Sequence, residues 1–89
     1  MYVVYVIQNT ETYELYISFT KKLNQRIESH NARANRATTR LAGTWTLLYA
    51  ETYRSEHDAR VRESKLKHHG SAKHGLMRRI EHCILKGKK

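Results

Sequence analysis

An α/β fold is predicted: a small three-stranded antiparallel sheet flanked by helices, in the order β-β-α-β-α-α. Three observations carry this. Residues 2–7 and 14–19 are two β-branched and aromatic runs close together in sequence. A third such run follows at 44–53. The segments between and after these runs repeat apolar residues at helical spacing, and the chain contains no proline. At 89 residues one core, hence one domain, is expected.

Each element has a local cause. Residues 2–7 form a strand because side chains branched at Cβ suit an extended, pleated backbone. Residues 9–13 are polar and turn-like, so the second strand should fold back as an antiparallel hairpin. Thr20 can cap a helix that starts at Lys21, where Leu23, Ile27, His30 and Ala34 share a face. That helix should end near residues 32–35. Residues 32–43 are small, polar and basic, with Arg33, Arg36, Arg40 and a final Gly43, and read as a loop or frayed helix. Ser55 and Asp58 resemble a capping box for a helix running to about Lys67. Its inward stripe would be Ala59, Glu63 and Leu66. The run His68-His69-Gly70 breaks that helix, and Ser71 would cap a last one. The last helix should carry a stripe of Leu76, Met77, Ile80, Cys83 and Ile84, with Cys83 as a small core residue. The domain is expected to span 1–85, with 86–89 as a basic disordered tail.

The chain has 17 Lys and Arg against 8 Asp and Glu, a formal charge of +9. None of those 17 falls in the first 20 residues. Such a balance favours a polyanion, since each cation that meets a phosphate releases a counterion. Nucleic acid is therefore expected ahead of an anionic membrane or a surface charged merely for solubility. One cysteine excludes an internal disulfide. No apolar run approaches a transmembrane span or a signal peptide, so a soluble cytoplasmic protein is expected, with no membrane partner. No P-loop, dinucleotide motif or serine nucleophile elbow is present, and no small-molecule cofactor is expected. Six histidines suggest zinc, but His68 and His69 are adjacent and no cysteine cluster accompanies them.

Glu63 is the unusual residue. A carboxylate on a core-facing stripe needs a cation partner. It either holds a hard divalent metal or pairs with Arg62 or another nearby base. Tyr5 and Tyr16, paired across the hairpin, could present two hydroxyls at one site, or simply pack as strand tyrosines do. A tyrosine base would need a nearby cation, because its ordinary pKa is about 10. Arg26 and His30 share one helix face and are either a solvated edge or a phosphate-facing pair.

Together these residues resemble the GIY-YIG nuclease superfamily, most closely its small single-domain members and more distantly the N-terminal nuclease module of UvrC. The resemblance covers about residues 2–80. Val3-Val4-Tyr5 stands for the first tripeptide and Tyr16-Ile17-Ser18 for the second. Residues 23–31, with Arg26 and His30, look like the family's helix; Trp45 to Tyr49 look like its third strand. Residues 59–67 look like the segment with its metal-binding Glu, and Ser71-Ala72-Lys73 like the Lys-bearing start of its last helix. The resemblance implies a DNA endonuclease, structure-specific or repair-related, leaving a 5′-phosphate and a 3′-hydroxyl. Tyr5 would be the general base or orient water, and Tyr16 would orient water or the scissile phosphate. Arg26 would stabilise the pentacovalent phosphate, His30 would assist, and Glu63 would hold Mg2+ or Mn2+. Asn31, Arg33, Arg36, Arg40, Lys67 and Lys73 would contact the nucleic acid, DNA ahead of RNA. A monomer or weak homodimer is expected, since one site cuts one strand. Val3 and Ser18 replace the two motif glycines. Ser18 motivates the alternative, a nucleic-acid-binding module of the same fold with impaired catalysis.

Overall fold

The computed structural model describes residues 1–36 and 43–86, the side chains of 33–36 excepted. The elements follow the expected order: β1 (Tyr2–Asn9), β2 (Leu15–Thr20), α1 (Leu23–Arg36), β3 (Trp45–Tyr53), α2 (Glu56–His68) and α3 (Gly70–Arg79). The three strands make one antiparallel sheet in the order β2-β1-β3.

The first strand lies in the centre and is buried from Val4 to Asn9. It runs two residues beyond the expected 2–7 because its polar end has partners. The Gln8 amide donates to the carbonyls of Tyr13 and Leu85 and accepts from the Leu85 N–H. The Asn9 side chain accepts from the N–H groups of Glu11 and Thr12, shaping the turn. Tyr13 in that turn has φ 64°, a left-handed conformation. Gly43 also has φ 64°, and a Cβ there would lie 2.6 Å from the Glu11 Cγ, so glycine is required where β3 approaches the hairpin turn.

Val4 and Val6 face one side of the sheet and form the core with Ile17, Ala59, Leu66, Leu76 and Ile80, beneath α2 and α3. Tyr5 and Ile7 face the other side, towards α1. Opposite Val6 and Ile7 the register shifts, with Val6 facing Tyr49 and Ile7 facing Leu47, so Leu48 is the extra residue of a β-bulge. Past the bulge, Tyr49, Glu51 and Tyr53 all point to the core side. The Glu51 carboxylate accepts from Tyr49 at 2.5 Å, from Tyr53, and from Arg62 Nε at 2.8 Å, which ties β3 to α2.

Three details differ from expectation. The first helix begins at Leu23, because Thr20 Oγ1 accepts from Lys22 N in a turn that precedes it. The last helix begins at Gly70 behind His69, so Ser71 lies inside the first turn and does not cap it. That helix ends at Arg79; Ile80 and Ile84 reach the core from the following turn, while Cys83 is exposed. Once the helix stops, helical spacing no longer decides which way Cys83 points. Of the nearby bases open to Glu63 it is Lys67 that pairs with it, while Arg62 pairs with Glu51. The Ser55 cap is as expected, with its side chain accepting from Asp58 N. Residues 37–42 of the expected basic loop, Arg40 included, and residues 87–89 of the expected tail lie outside the described residues. No helix among the described residues is long and apolar enough to cross a membrane.

Candidate functional site

Strand alternation puts Tyr5 on the α1 side of the sheet, and residues two positions apart share its face. Tyr16 lies on that same face, but the two tyrosines are not directly opposite. Tyr5 faces Ser18 and Tyr16 faces Ile7, an offset of two residues. The helix α1 crosses above them. Its Arg26 and His30 are one turn apart and both project at the tyrosines. The Tyr5 hydroxyl lies 3.4 Å from His30 Nε2. The His30 ring meets Tyr16 edge-on at 4.9 Å between centroids. Arg26 lies close to both tyrosines, and its pKa is raised above the ordinary value, chiefly by hydrogen bonding to Tyr5 and less by Tyr16.

The two tyrosines differ in access. Tyr5 is fully buried beneath α1, whereas Tyr16 is half-buried at the edge strand. Glu63 joins from the other side of that edge. Its side chain is 19% exposed and pairs with Lys67 at 3.1 Å. The Lys67 ammonium in turn lies 5.9 Å from the Tyr16 ring centroid. A continuous series of contacts thus runs from Glu63 through Lys67 and Tyr16 to His30, Arg26 and Tyr5. All five expected catalytic residues belong to it.

Two recesses flank this series. One of about 230 Å3 is lined by Leu15, Tyr16, Ile17, Leu66, Lys67 and Lys73. The other, about 450 Å3, is lined by Thr20, Lys21, Lys22, Gln25, Arg26 and Ser29. Lys67 and Lys73 therefore line a recess beside Tyr16, while Lys21 and Lys22 are basic neighbours of Arg26 that sequence reasoning did not single out. The side chains of Arg33 and Arg36 are outside the described residues. Asn31, expected to touch nucleic acid, has its amide on the backbone of Trp45: Trp45 N–H donates to Oδ1 at 2.7 Å, and Nδ2 donates to the Trp45 carbonyl at 3.4 Å. The Trp45 ring sits 6.0 Å from His30 and 6.4 Å from Tyr16. Nothing in the sequence signals that the start of β3 meets the end of α1 here.

Among the described residues no group of three His, Cys, Asp or Glu side chains converges as a metal cage. Magnesium and manganese do not need one. Magnesium commonly takes one or two carboxylates and fills its remaining positions with water and phosphate oxygens. Glu63 suits that requirement: it is partly shielded, and its present counter-ion is a lysine 39% exposed that can swing away.

A family model described as the GIY-YIG catalytic domain matches residues 1–76. No curated protein and no solved structure matches the chain significantly.

Proposed function

The chain belongs to the GIY-YIG catalytic-domain family, whose members are nucleases generally dependent on a divalent metal, and from that premise we propose a DNA endonuclease acting through Tyr5, Tyr16, Arg26, His30 and Glu63. The observation that carries this reading is the convergence of Arg26 and His30 on the two tyrosines, with a lone carboxylate across the same sheet edge. Hydrolysis of a phosphodiester requires a water deprotonated in line with the leaving O3′, and stabilisation of charge on the phosphoryl oxygens. The water oxygen bonds to phosphorus as the P–O3′ bond breaks, leaving a 5′-phosphate and a 3′-hydroxyl.

In this reading Tyr16 meets the phosphate or the water directly, since its ring is accessible from the recess. Tyr5 is enclosed by α1, so its hydroxyl acts where Arg26 and His30 part, and its hydrogen bond to His30 offers a route for the proton. Arg26 supplies fixed positive charge to the pentacovalent phosphate. Glu63 would hold Mg2+ or Mn2+, which when bound neutralises charge on phosphate and leaving oxygen. Lys67 and Lys73 bind flanking phosphates. The substrate proposed is structure-specific or repair-related DNA.

A second reading is a binding module of the same fold with impaired catalysis. It is favoured by Ser18, which stands opposite Tyr5 in the strand register and puts a side chain where the family motif has glycine. Nicking of supercoiled plasmid separates the two. The first expects nicks with magnesium or manganese and none in chelator, with Tyr5→Phe strongly impaired. DNA binding without cleavage of any linear or branched substrate selects the second, and Ser18→Gly should then restore activity.

A further inference from the structure

We infer that Trp45, with Leu47 beside it, is a stacking platform for an unpaired nucleobase next to the phosphate that is cut. This rests on the nuclease reading above and adds a substrate class to it: DNA whose strand is single or splayed at the cleavage point.

Trp45 is the only tryptophan in the chain. It stands at the first position of β3, an edge strand, and its ring is half-buried. Its neighbours among the described rings are His30, tilted by 52°, and Tyr16, at 61° to it, so neither lies stacked in parallel on the indole. Two residues on, Leu47 shares the same face of the strand and is 42% exposed, a large apolar side chain left at the surface beside the site. Indole and leucine together make an apolar strip that no described core residue covers.

Three features suit this strip to a base. The Asn31 amide grips both the N–H and the carbonyl of Trp45, so the ring's backbone is already ordered before anything binds. Asn31 directly follows His30, so the helix that brings His30 to Tyr5 also sets Trp45. Cationic recesses lie close by, one holding Lys67 and Lys73 beside Tyr16, the other Lys21, Lys22 and Arg26. A basic track for the backbone with an aromatic ring for the bases is the combination that holds single strands. In a duplex each base is covered by its neighbours, and only an unpaired one offers its face.

Tryptophan emission from the unmutated protein tests this directly. In chelator, the protein is titrated with an oligothymidylate and with a blunt duplex of equal length, while anisotropy of labelled DNA reports binding of each. The oligothymidylate should quench emission at saturation, and the duplex should bind with much less quenching. Trp45→Phe should keep single-strand affinity to within about threefold, whereas Trp45→Leu should lower it roughly tenfold and leave duplex affinity unchanged. Unaltered emission at saturating oligothymidylate overturns the inference even if the variants fail to fold. So does an equal loss of both affinities in a folded Trp45→Leu. Plasmid nicking without quenching removes the platform and spares the nuclease reading. Quenching by single strands from a protein that cuts nothing does the reverse.

Discussion

The molecule holds two sets built alike from two tyrosines, an arginine and a glutamate. At the β3 edge, Tyr49, Tyr53 and Arg62 surround Glu51. At the β2 edge, Tyr5, Tyr16 and Arg26 gather on one side and Glu63 stands on the other. In the first set every donor points at the carboxylate, which accepts from two hydroxyls and a guanidinium. In the second the guanidinium lies beside the tyrosines instead, and the carboxylate is left to a half-exposed lysine. Composition does not separate them. What differs is whether the negative charge has been saturated from within. A saturated carboxylate braces β3 against α2, whereas one held by a single mobile cation can exchange that cation for another.

The largest expected effect breaks this contrast at the second set. Replacing Glu63 with Gln should lower single-turnover cleavage by about 100-fold or more, since it removes the charge a hard metal requires. Stability should move by less than about 1 kcal/mol, the scale of an exposed ion pair, and DNA binding should persist. Equal cleavage by Glu63→Gln and the unmutated protein would remove Glu63 from the chemistry.

The matching change at the first set should show the opposite profile. Glu51→Ala leaves Tyr49, Tyr53 and Arg62 partly enclosed without their acceptor, and should cost about 2–4 kcal/mol in urea unfolding. Cleavage per folded molecule should be unchanged. A variant as stable as the parent would show that the brace contributes nothing.

Acidity and alkalinity sharpen the same comparison. Burial tends to raise the Glu51 carboxyl, but hydrogen bonds from Tyr49, Tyr53 and Arg62 outweigh it and hold the group below its ordinary 4.5. A carboxyl depressed in the folded state contributes fully above the unfolded value, and that contribution fades as pH falls through the folded one. Tyr53 is pushed up to about 12 by burial and by its bond to Glu51. Its contribution is complete below 10 and fades as pH climbs towards 12. Urea midpoints should therefore decline at both extremes, and Glu51→Gln should flatten the acid limb. The smallest effect belongs to Asn31→Ala, expected to cost about 1 kcal/mol. Because it frees the Trp45 backbone, its emission spectrum should change while that of Glu63→Gln does not.

Strands β1 and β3 could be read from sequence because β-branched runs state their own geometry. Glu63 stood out because apolar Ala59 and Leu66 flank it at helical spacing, and both are buried in the fold. Gln8 and Asn9 were harder: polar residues look like a turn until their partners at Tyr13, Leu85 and the turn N–H groups are known. Cys83 failed for a related reason, since its inward placement presumed a helix that in fact ends at Arg79. Asn31 illustrates the limit most clearly. Its place in a motif-like helix suggests contact with DNA, and only the fold shows its amide occupied by the Trp45 backbone. Pairing across distant segments carries no local signature.

The clasp between Gln8 and Leu85 joins positions 77 apart in the chain. A ribosome adds about 5–20 residues per second, so the central strand emerges several seconds before the segment that closes over its end. During that interval Val3-Val4-Tyr5-Val6-Ile7, within a 20-residue opening that contains no Lys or Arg, has neither β3 beside it nor α2 and α3 above it. Such a segment is adhesive towards its own kind. The exposure of that segment therefore ends only when β3, α2 and α3 have followed it and closed over the sheet.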